Sequence, residues 1–486
     1  MGIIDFYTVI YILAGTGFGL FFGAIPGLTS TAAVALLIPI TYGLEPNYGI
    51  GLLIGAFCGG TAGGAVSAAL LNIPGTPSSI CTTLDAHPMV KKGEAGLALG
   101  TAMLASLFGG LFSAIFLCFL SPFVAEIAVS FGPFEYLFLV LIGLILSVRI
   151  VQGSKIKASI SLALGMILSM VGSDPITGVK RMTFNNMNLR GGIGLLPLMI
   201  GFFAIAQVLI DIEKNTFRET VINSQSENVN RIIFPKIKKW IESWRVLLVS
   251  CITGCFIGVL PGVGGSMASI SAYALSKRVS KNSDKYGTGE VDGVIASESS
   301  NNAMTGGALI STLALGIPGD ACTAVMLGGM KLLGIKTGPA LFEENQNIVC
   351  GIFITFIIAN TAMFVLQFAG MHFFVKILRI PRYILIPLIV LFSSIGTYCV
   401  SHNFFDLFEM LVFGLIGYIL LKFGFGIIPC LMGFIMGGMA EKHLRTAITM
   451  YDSFTDIFSR PIACCMAFIV VLLVISFFIV GKKQND

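Results

Sequence analysis

The chain has 486 residues, of which 55% are hydrophobic and 11% charged, with a formal net charge of +5. Soluble domains carry about 25% charged residues, so the composition excludes an ordinary soluble protein and predicts helical membrane spans of ~20 residues. The long continuous apolar runs differ from the short alternating segments of an outer-membrane barrel. The small positive charge lies in loops, where it indicates topology rather than a nucleic-acid-binding surface.

The first half opens with a predicted span over residues 5–25. Because the first basic residue is Lys91, we expect this span to be retained rather than cleaved as a signal peptide. The polar residues 78–93 predict a loop or the limb of a hairpin. The other features, in order, are the break Pro26-Gly27-Leu28-Thr29, a short apolar segment (31–40), a loop (41–48), a Gly-rich span (49–73), the break Pro74-Gly75-Thr76-Pro77, and apolar runs near 95–121, 134–148, 156–172 and 191–212.

A polar tract over residues 214–245 is rich in Lys and Arg, which favours a cytoplasmic position under the positive-inside rule. We interpret it as the linker between two membrane halves, residues 1–213 and 246–486. The second half contains an apolar segment (246–260), the break Pro261-Gly262-Val263-Gly264, a short apolar segment (267–275), a basic loop (276–292), the stretch 291–320, and apolar runs near 348–375, 383–400, 404–421, 425–439 and 461–481.

Both halves follow one order: a span, a Pro-Gly break, a short segment, a loop, a Gly- or Ser-rich span and then Ile-Pro-Gly. Ordered landmarks at similar separations predict an internal repeat. Counting crossings from a cytoplasmic linker predicts inverted copies, with the N-terminus outside and the C-terminus inside. The basic residues that then fall outside, against the rule, are Lys180, Arg181, Arg190, Lys442, Arg445 and Arg460.

The stretch 291–320 carries Glu298, Asn301 and Asn302 close together in a segment long enough to cross a bilayer. Polar groups at membrane depth are costly and usually face a cavity or a ligand, although a polar contact between helices is the alternative. Glu298 is the candidate for a coupling cation or a proton, and the two asparagines for the substrate. Asp320, directly after the second Ile-Pro-Gly, is a further candidate for the cation.

Broken helices within inverted repeats are typical of secondary transporters. A helix that begins after a break presents free N–H groups and a partial positive charge to an anion. We therefore interpret Asn72 and the break at residues 74–77 as site-forming. Thr76, Ser78 and Ser79 follow that break, and such hydroxyls could bind a carboxylate or Na+. Two facing breaks would enclose one site.

Several segments resemble the large membrane subunit of the tripartite tricarboxylate transporters. They are PGLTSTAAVALLIPIT (26–41), LLNIPGTPSSICTTLDAHPMVKKGEAGLAL (70–99), GIGLLPLMIGFFAIAQVL (192–209) and ESSNNAMTGGALISTLALGIPGD (298–320). The resemblance implies a secondary carrier that works with a small membrane subunit and an extracytoplasmic solute-binding protein in the bacterial plasma (inner) membrane. Its substrates would be citrate-like tricarboxylates or related carboxylates, taken up with Na+ or H+ and without a cofactor.

The family motifs carry over by position onto this sequence. The matching residues are Pro26, Gly27, Asn72, Pro74, Gly75, Thr76, Pro77, Asp85, Pro261, Gly262, Gly264, Glu298, Asn301, Asn302, Gly306, Gly307, Pro318 and Gly319. We assign these residues, together with Thr29, to substrate binding, with two exceptions. Asp85 is not assigned to the binding site. Glu298 is assigned, with Asp320, to the coupling ion.

The sequence departs from the family pattern at a few positions. Ala86 stands where the family usually has Gly, Ser297 and Ser311 stand where it often has Pro, and Asp320 stands where a small residue is usual. An acidic residue beside an anion site argues against citrate itself, or assigns Asp320 to a cation.

Other candidate residues favour plainer interpretations. Asp85 and His87 could form a proton relay, but a solvated loop with a local cap is favoured. The pairs Gly59-Gly60 and Gly63-Gly64 favour close helix packing. The 11 cysteines have no metal-ligand or CxxC spacing.

Two rival functions stay open. A channel, or a carrier for another small solute, is compatible with the same pattern. An intramembrane enzyme would need a nucleophile with its base or a metal motif, and the sequence contains no HExxH, GxSxG or GxxxxGK[ST]. We therefore expect no enzymatic activity and predict an all-α polytopic permease of about 12 spans, with two inverted repeats and Pro-Gly-broken or re-entrant helices.

Overall fold

The structure is a computed structural model that describes residues 4–26, 28–151, 154–174, 177–213, 231–377, 382–451, 457 and 459–483. Within these ranges the chain is mostly helical. A two-residue antiparallel pair, β1 (Gly172–Ser173) and β2 (Lys180–Arg181), lies in one loop.

The helices of the described residues are numbered in chain order. Those of the first half are α1 (Phe6–Ala24), α2 (Ser30–Thr41), α3 (Pro46–Leu71), α4 (Ile80–Lys91), α5 (Ala95–Val129), α6 (Pro133–Ile150), α7 (Lys155–Ser169), α8 (Leu195–Ile200) and α9 (Ala206–Glu213). Those that follow are α10 (Ile237–Glu242), α11 (Trp244–Val259), α12 (Gly264–Val279), α13 (Val291–Ile310), α14 (Ala321–Leu332), α15 (Pro339–Glu344), α16 (Gln346–Ile377), α17 (Arg382–Ser401), α18 (Phe404–Lys422), α19 (Ile427–Met450) and α20 (Pro461–Lys483).

Helix length and composition confirm a polytopic all-α membrane protein. Among the described residues, six helical segments are long and apolar enough to cross a membrane: Phe6–Ala24, Pro46–Leu71, Ala95–Val129, Leu195–Glu213, Gln346–Phe374 and Phe404–Lys422. Five shorter apolar helices accompany them, within α2, α11, α14, α17 and α20. The total of about 12 crossings stays a prediction.

Glycines let α1 and α3 pack backbone against backbone. A Cβ added at Gly19 would lie 2.3 Å from the carbonyl oxygen of Ala56, and one added at Gly59 would lie 2.2 Å from that of Thr16. Small residues at four-residue spacing permit this approach where the hydrophobic effect does not drive helix association. The prediction that the Gly-rich segment of α3 serves close packing is confirmed.

The two halves repeat the same sequence of helices and breaks. The order α1, α2, α3, α4 in the first half corresponds to α11, α12, α13, α14 in the second. A left-handed residue ends the helical segment before each break, Asn72 with φ 57° after α3 and Gly316 with φ 70° after the turn that follows α13, and Ile-Pro-Gly comes next in both. Between α13 and Gly316 a π-helical turn intervenes. The inverted orientation of the copies remains a prediction.

The halves interlock through the helices that follow these breaks. The first-half helix α4 packs against α12 and α13, while α14 of the second half packs against α2 and α3. The remaining helices surround this core, with α7 and α6 against α19, and α8 and α9 against α18. The helix that follows each Ile-Pro-Gly break therefore packs against the other half.

The sequence predicts a loop or the limb of a hairpin over residues 78–93, and only the loop is wrong. A short 3-10 turn at Pro77–Ser79 leads directly into the helix α4, which follows the break as the limb of a hairpin does. The polar side chains that suggested a loop are satisfied inside the protein: Thr82 and Asp85 have no exposed surface, and both bond to the second half. The polar composition suggested a loop, but hydrogen bonds to buried partners stabilise these polar side chains within a helix.

Candidate functional site

A cavity of about 520 Å³ lies where the breaks of the two halves meet. Its walls include the predicted site residues Thr29, Pro74, Thr76, Pro77, Gly262, Gly264 and Asp320. These residues come from both breaks of both halves. The prediction that facing breaks enclose one site agrees with this geometry, although the roles of the residues stay predictions.

Four helices begin at the cavity wall. Thr29 precedes α2, Thr76 precedes the turn into α4, Gly264 is the first residue of α12, and Asp320 precedes α14. The residues correspond in pairs, because Thr29 and Gly264 follow the Pro-Gly breaks whereas Thr76 and Asp320 follow Ile-Pro-Gly. Each N-terminus carries a partial positive charge of about half an elementary charge, so the wall favours an anion.

The four N-termini differ in how they are capped. The Thr29 hydroxyl accepts from the N–H of Ala32 at 3.1 Å, and the Asp320 carboxylate accepts from the N–H of Thr323 at 2.8 Å. Among the described side chains, none caps α12 or the turn that begins α4. The two uncapped ends adjoin, since a Cβ built on Gly265 would lie 2.7 Å from the Cβ of Ser78.

A cluster of hydroxyls stands at this uncapped junction. The Thr76 hydroxyl lies 3.0 Å from both the Ser78 and the Ser79 hydroxyls. Thr76 and Ser78 line the cavity. Hydroxyl protons can turn towards a bound oxygen, so this cluster adds donors to the backbone N–H groups of the first turn of α12.

Two acceptors also lie beside this junction. Asp320 is 9% exposed, and its Cβ would lie 3.5 Å from a Cβ built on Gly264. Asn301 is fully buried behind Gly265; its Nδ2 donates to the carbonyl oxygen of Thr61 at 3.2 Å. Its Oδ1 has no hydrogen-bond partner within the described part of the chain. An unpaired buried acceptor is costly and suits a cation or a donor.

Glu298 lies behind the cavity wall and has no exposed surface. Its Oε1 accepts a short hydrogen bond from the Thr82 hydroxyl of α4, and its Oε2 accepts from the Ser106 hydroxyl of α5 at 3.2 Å. All the partners are neutral. The side chain therefore joins three helices, α4, α5 and α13, at one point.

Several predicted site residues lie in helix contacts rather than on the wall. Cβ atoms built on Gly306, Gly307 and Gly319 would lie 2.6 Å from Ser113, 2.2 Å from Cys255 and 2.6 Å from Ala308, respectively. One built on Gly75 would lie 2.2 Å from the carbonyl oxygen of Gly23. These glycines permit close approach of backbones.

The other predicted residues have separate surroundings. Asn72 is an exposed C-cap of α3, and Asn302 donates from Nδ2 to the carbonyl oxygen of Glu298. Pro26, Pro261 and Pro318 are buried at their breaks without lining the cavity, and Gly27 lies outside the described residues.

The sequence reasoning missed one wall of the cavity. This wall comes from helices outside the repeats: Ser147 at the end of α6, Phe202, Phe203 and Gln207 around α9, and residues 426–429 at the start of α19. Gln207 was the available signal, because it is a polar residue in an otherwise apolar span, and it donates to Asp211 at 3.0 Å.

Asp85 also differs from its prediction. The carboxylate is fully buried instead of solvated in a loop, and it accepts backbone N–H groups from residues 287–290 of the other half. His87 does not join it, because its Nδ1 lies 3.0 Å from the carbonyl oxygen of Ala69.

The multi-pass helical fold and the cavity at its helix breaks are those of a membrane transporter component. The chain belongs to the tripartite tricarboxylate transporter TctA family, whose model matches residues 9–432. The resemblance noted from the motifs is thereby confirmed.

The chain is also similar to two proteins of Agrobacterium vitis. The chain is 34% identical over 466 residues to the "Uncharacterized 52.8 kDa protein in TAR-I ttuC' 3'region", covering 94% of this chain and 91% of that protein. It is 36% identical over 214 residues to the "Uncharacterized protein in TAR-II ttuC' 3'region", covering 44% of this chain and 88% of that protein. No solved structure matches the chain.

Proposed function

We propose that the chain is the permease subunit of a binding-protein-dependent secondary transporter that imports tricarboxylates or related carboxylates with Na+ or H+. It would act in a bacterial inner membrane with a small membrane subunit and an extracytoplasmic solute-binding protein. The observation that carries the proposal is the meeting of four helix N-termini at one cavity. The family membership supports the partners and the substrate class.

The anion would bind at the uncapped junction of α12 and the turn before α4. Backbone N–H groups of a first helical turn and the hydroxyls of Thr76, Ser78 and Ser79 supply donors there. Thr29 and Asp320 already cap the other two N-termini, so fewer free N–H groups remain at those ends to bind an anion. One carboxylate group fits the junction, and the volume of about 520 Å³ accommodates a small di- or tricarboxylate.

A cation would offset the charge of the anion and of Asp320. Asp320 lies close to Gly264 and the unpaired Oδ1 of Asn301 lies close to Gly265, next to the proposed carboxylate. Glu298, whose contacts are neutral hydroxyls, is the residue we assign to a proton or to a second cation contact. Adjacent anion and cation strengthen each other's binding in a low dielectric, which is the physical basis of coupling.

The experiment is uptake of labelled citrate and other carboxylates into vesicles that hold this subunit with its two proposed partners. Uptake is measured with a Na+ gradient, with a proton gradient and with neither, for the wild type, Glu298→Gln and Asp320→Asn. Asn is also a good N-cap, so Asp320→Asn removes charge while keeping α14 capped. Glu126→Gln, at an exposed carboxylate on α5, is the matched control.

Saturable, gradient-driven uptake is expected in the wild type and the control. Each coupling-ion variant should lose about tenfold or more of the gradient-driven rate, as befits removal of a buried charge-assisted contact. Normal coupling in both variants would reduce Glu298 and Asp320 to structural roles. No uptake of any carboxylate by the assembled complex would refute the substrate class, and conductance without coupling would identify a channel.

A further inference from the structure

Asp85 makes a set of contacts that the proposed transport site does not use. Its Oδ1 accepts the N–H groups of Gly287, Gly289 and Glu290 at 3.0, 2.9 and 2.8 Å. Its Oδ2 accepts the hydroxyl of Tyr273 at 2.6 Å. The carboxylate belongs to the first half, whereas its four donors belong to the second. We call this arrangement the Asp85 clasp.

The loop is shaped to hold a carboxylate. Gly287 and Gly289 have φ of 86° and 98°, values that a side chain disfavours and that turn the N–H groups of Gly287, Gly289 and Glu290 towards one carboxylate oxygen. Such a concave run of N–H groups binds anions. The nearby Lys92 donates to the carbonyl oxygen of Thr288 at 2.7 Å, which fixes the loop on the end of α4. The charge of Asp85 is thus met by backbone dipoles and one hydroxyl.

The clasp holds the helix that connects the cavity with Glu298. Ser78, just before α4, lines the cavity, and Thr82, within the first turn of α4, donates to Glu298. Asp85 follows Thr82 by about one turn, so its contacts determine how deeply α4 sits between α12 and α13. A shift of α4 would move the anion donors and the Glu298 contact together.

The clasp exists on one half only. Counted from the matched Ile-Pro-Gly motifs, the residue of α14 that corresponds to Asp85 of α4 is Gly329. Glycine has no charged side chain for a loop to bind, and the segment Ala321–Leu332 contains no acidic residue. The second break helix therefore lacks the ionic attachment that fixes the first.

We propose that Asp85 is a positioning residue that docks α4 onto the second half. It thereby determines the position of the Ser78 hydroxyl at the cavity and of the Thr82 hydroxyl at Glu298. The clasp is a one-sided attachment: Asp85 binds α4 to the loop before α13, while α14 has no acidic side chain between Ala321 and Leu332. The effect on transport rests on the proposed function, whereas the docking itself does not.

The test compares Asp85→Asn and Tyr273→Phe with the wild type in the assembled complex. Alkylation of Cys81 by a small maleimide, followed at peptide level by mass spectrometry, reports undocking because this thiol is 5% exposed on α4. Cys430, fully buried on α19, is the internal reference. The matched control is Asp174→Asn, another buried carboxylate, which accepts from Thr177 and pairs with Arg445 away from α4. KM and kcat for uptake are measured in parallel.

We expect Cys81 alkylation to rise about tenfold in Asp85→Asn and less in Tyr273→Phe, with KM rising more than kcat falls. Cys430 and the Asp174→Asn variant should remain at wild-type rates. Unchanged Cys81 alkylation in both variants, at normal assembly, would overturn the clasp. Faster alkylation with an unchanged KM would confine Asp85 to structure and overturn its positioning role. If no carboxylate is transported, the alkylation result still decides the docking.

Discussion

At the scale of single residues, Asn72 is an example of a predicted substrate-binding residue whose position is explained by a structural requirement. The family motif assigns it to the substrate, but the structure places it exposed at the end of α3 with φ 57°. The residue at the corresponding position of the second half is Gly316, with φ 70°. Asn and Gly are the residues that most readily take this left-handed C-cap conformation. The shared backbone requirement explains Asn72 without a ligand.

We predict that Asn72→Gly transports with KM within about twofold of the wild type, because glycine meets the same backbone requirement. Asn72→Val should destabilise the protein by roughly 1–2 kcal/mol, since a β-branched residue is strained in that conformation. Uptake kinetics and melting temperature in detergent measure the two effects. A large rise of KM in Asn72→Gly would return the residue to the substrate site.

The residue scale also marks the limit of prediction for the site. The sequence indicated Thr29, Thr76, Gly264 and Asp320 because each follows a Pro or Gly break, which is a local signal. It could not distinguish wall residues from packing residues such as Gly307, since both occur in the same motif. Whether such a residue lines the cavity or packs against another helix depends on which part of the fold lies opposite it.

At the scale of helices, close backbone contact holds the broken elements in place. The repeats α1–α3 and α11–α13 both pack through glycines: Gly59 faces Thr16, and Gly258 faces the carbonyl oxygen of Met304 at 2.4 Å from a built Cβ. Apolar side chains gain little by leaving lipid for protein, so packing and close contact must supply the association energy. Close packing of the backbones therefore holds the helices that precede each break in position.

We predict that Gly19→Leu prevents stable packing of α1 on α3, while Gly17→Leu on the same helix is tolerated. A Cβ at Gly19 would lie 2.3 Å from a carbonyl oxygen, whereas at Gly17 nothing stands within 4 Å. Overpacking costs about 1–3 kcal/mol, and more where backbone must move. Folded yield from membranes and melting temperature measure the difference. Equal stability of the two variants would contradict the glycine contact.

At the scale of the whole molecule, ion pairs account for basic residues that conflict with the predicted topology. Arg181 pairs with Glu441 at 2.7 Å, Arg445 with Asp174 at 2.6 Å and Arg460 with Glu135 at 2.7 Å. The positive-inside rule counts Lys and Arg rather than net charge, so the pairs explain how three of the six basic residues are stabilised, while the inverted topology stays a prediction.

The predicted topology is testable with single cysteines in a background without native thiols. Glu45→Cys, in the loop between α2 and α3, should react with an impermeant thiol reagent added to intact cells. Asp284→Cys, in the basic loop before α13, should react only in inverted vesicles. Both positions are exposed. Labelling of both from one side would rule out the inverted arrangement of the repeats.

The sequence by itself determined that this is a helical membrane protein whose helices are interrupted at Pro and Gly. Those properties are local, because hydropathy and backbone restriction act within one segment. Tertiary structure decided that Ile80–Lys91 forms a helix with buried polar side chains, that α6, α9 and α19 complete the cavity, and that Asp85 joins α4 to the loop before α13. These outcomes depend on partners far away in the chain, and only packing brings such groups within hydrogen-bonding distance.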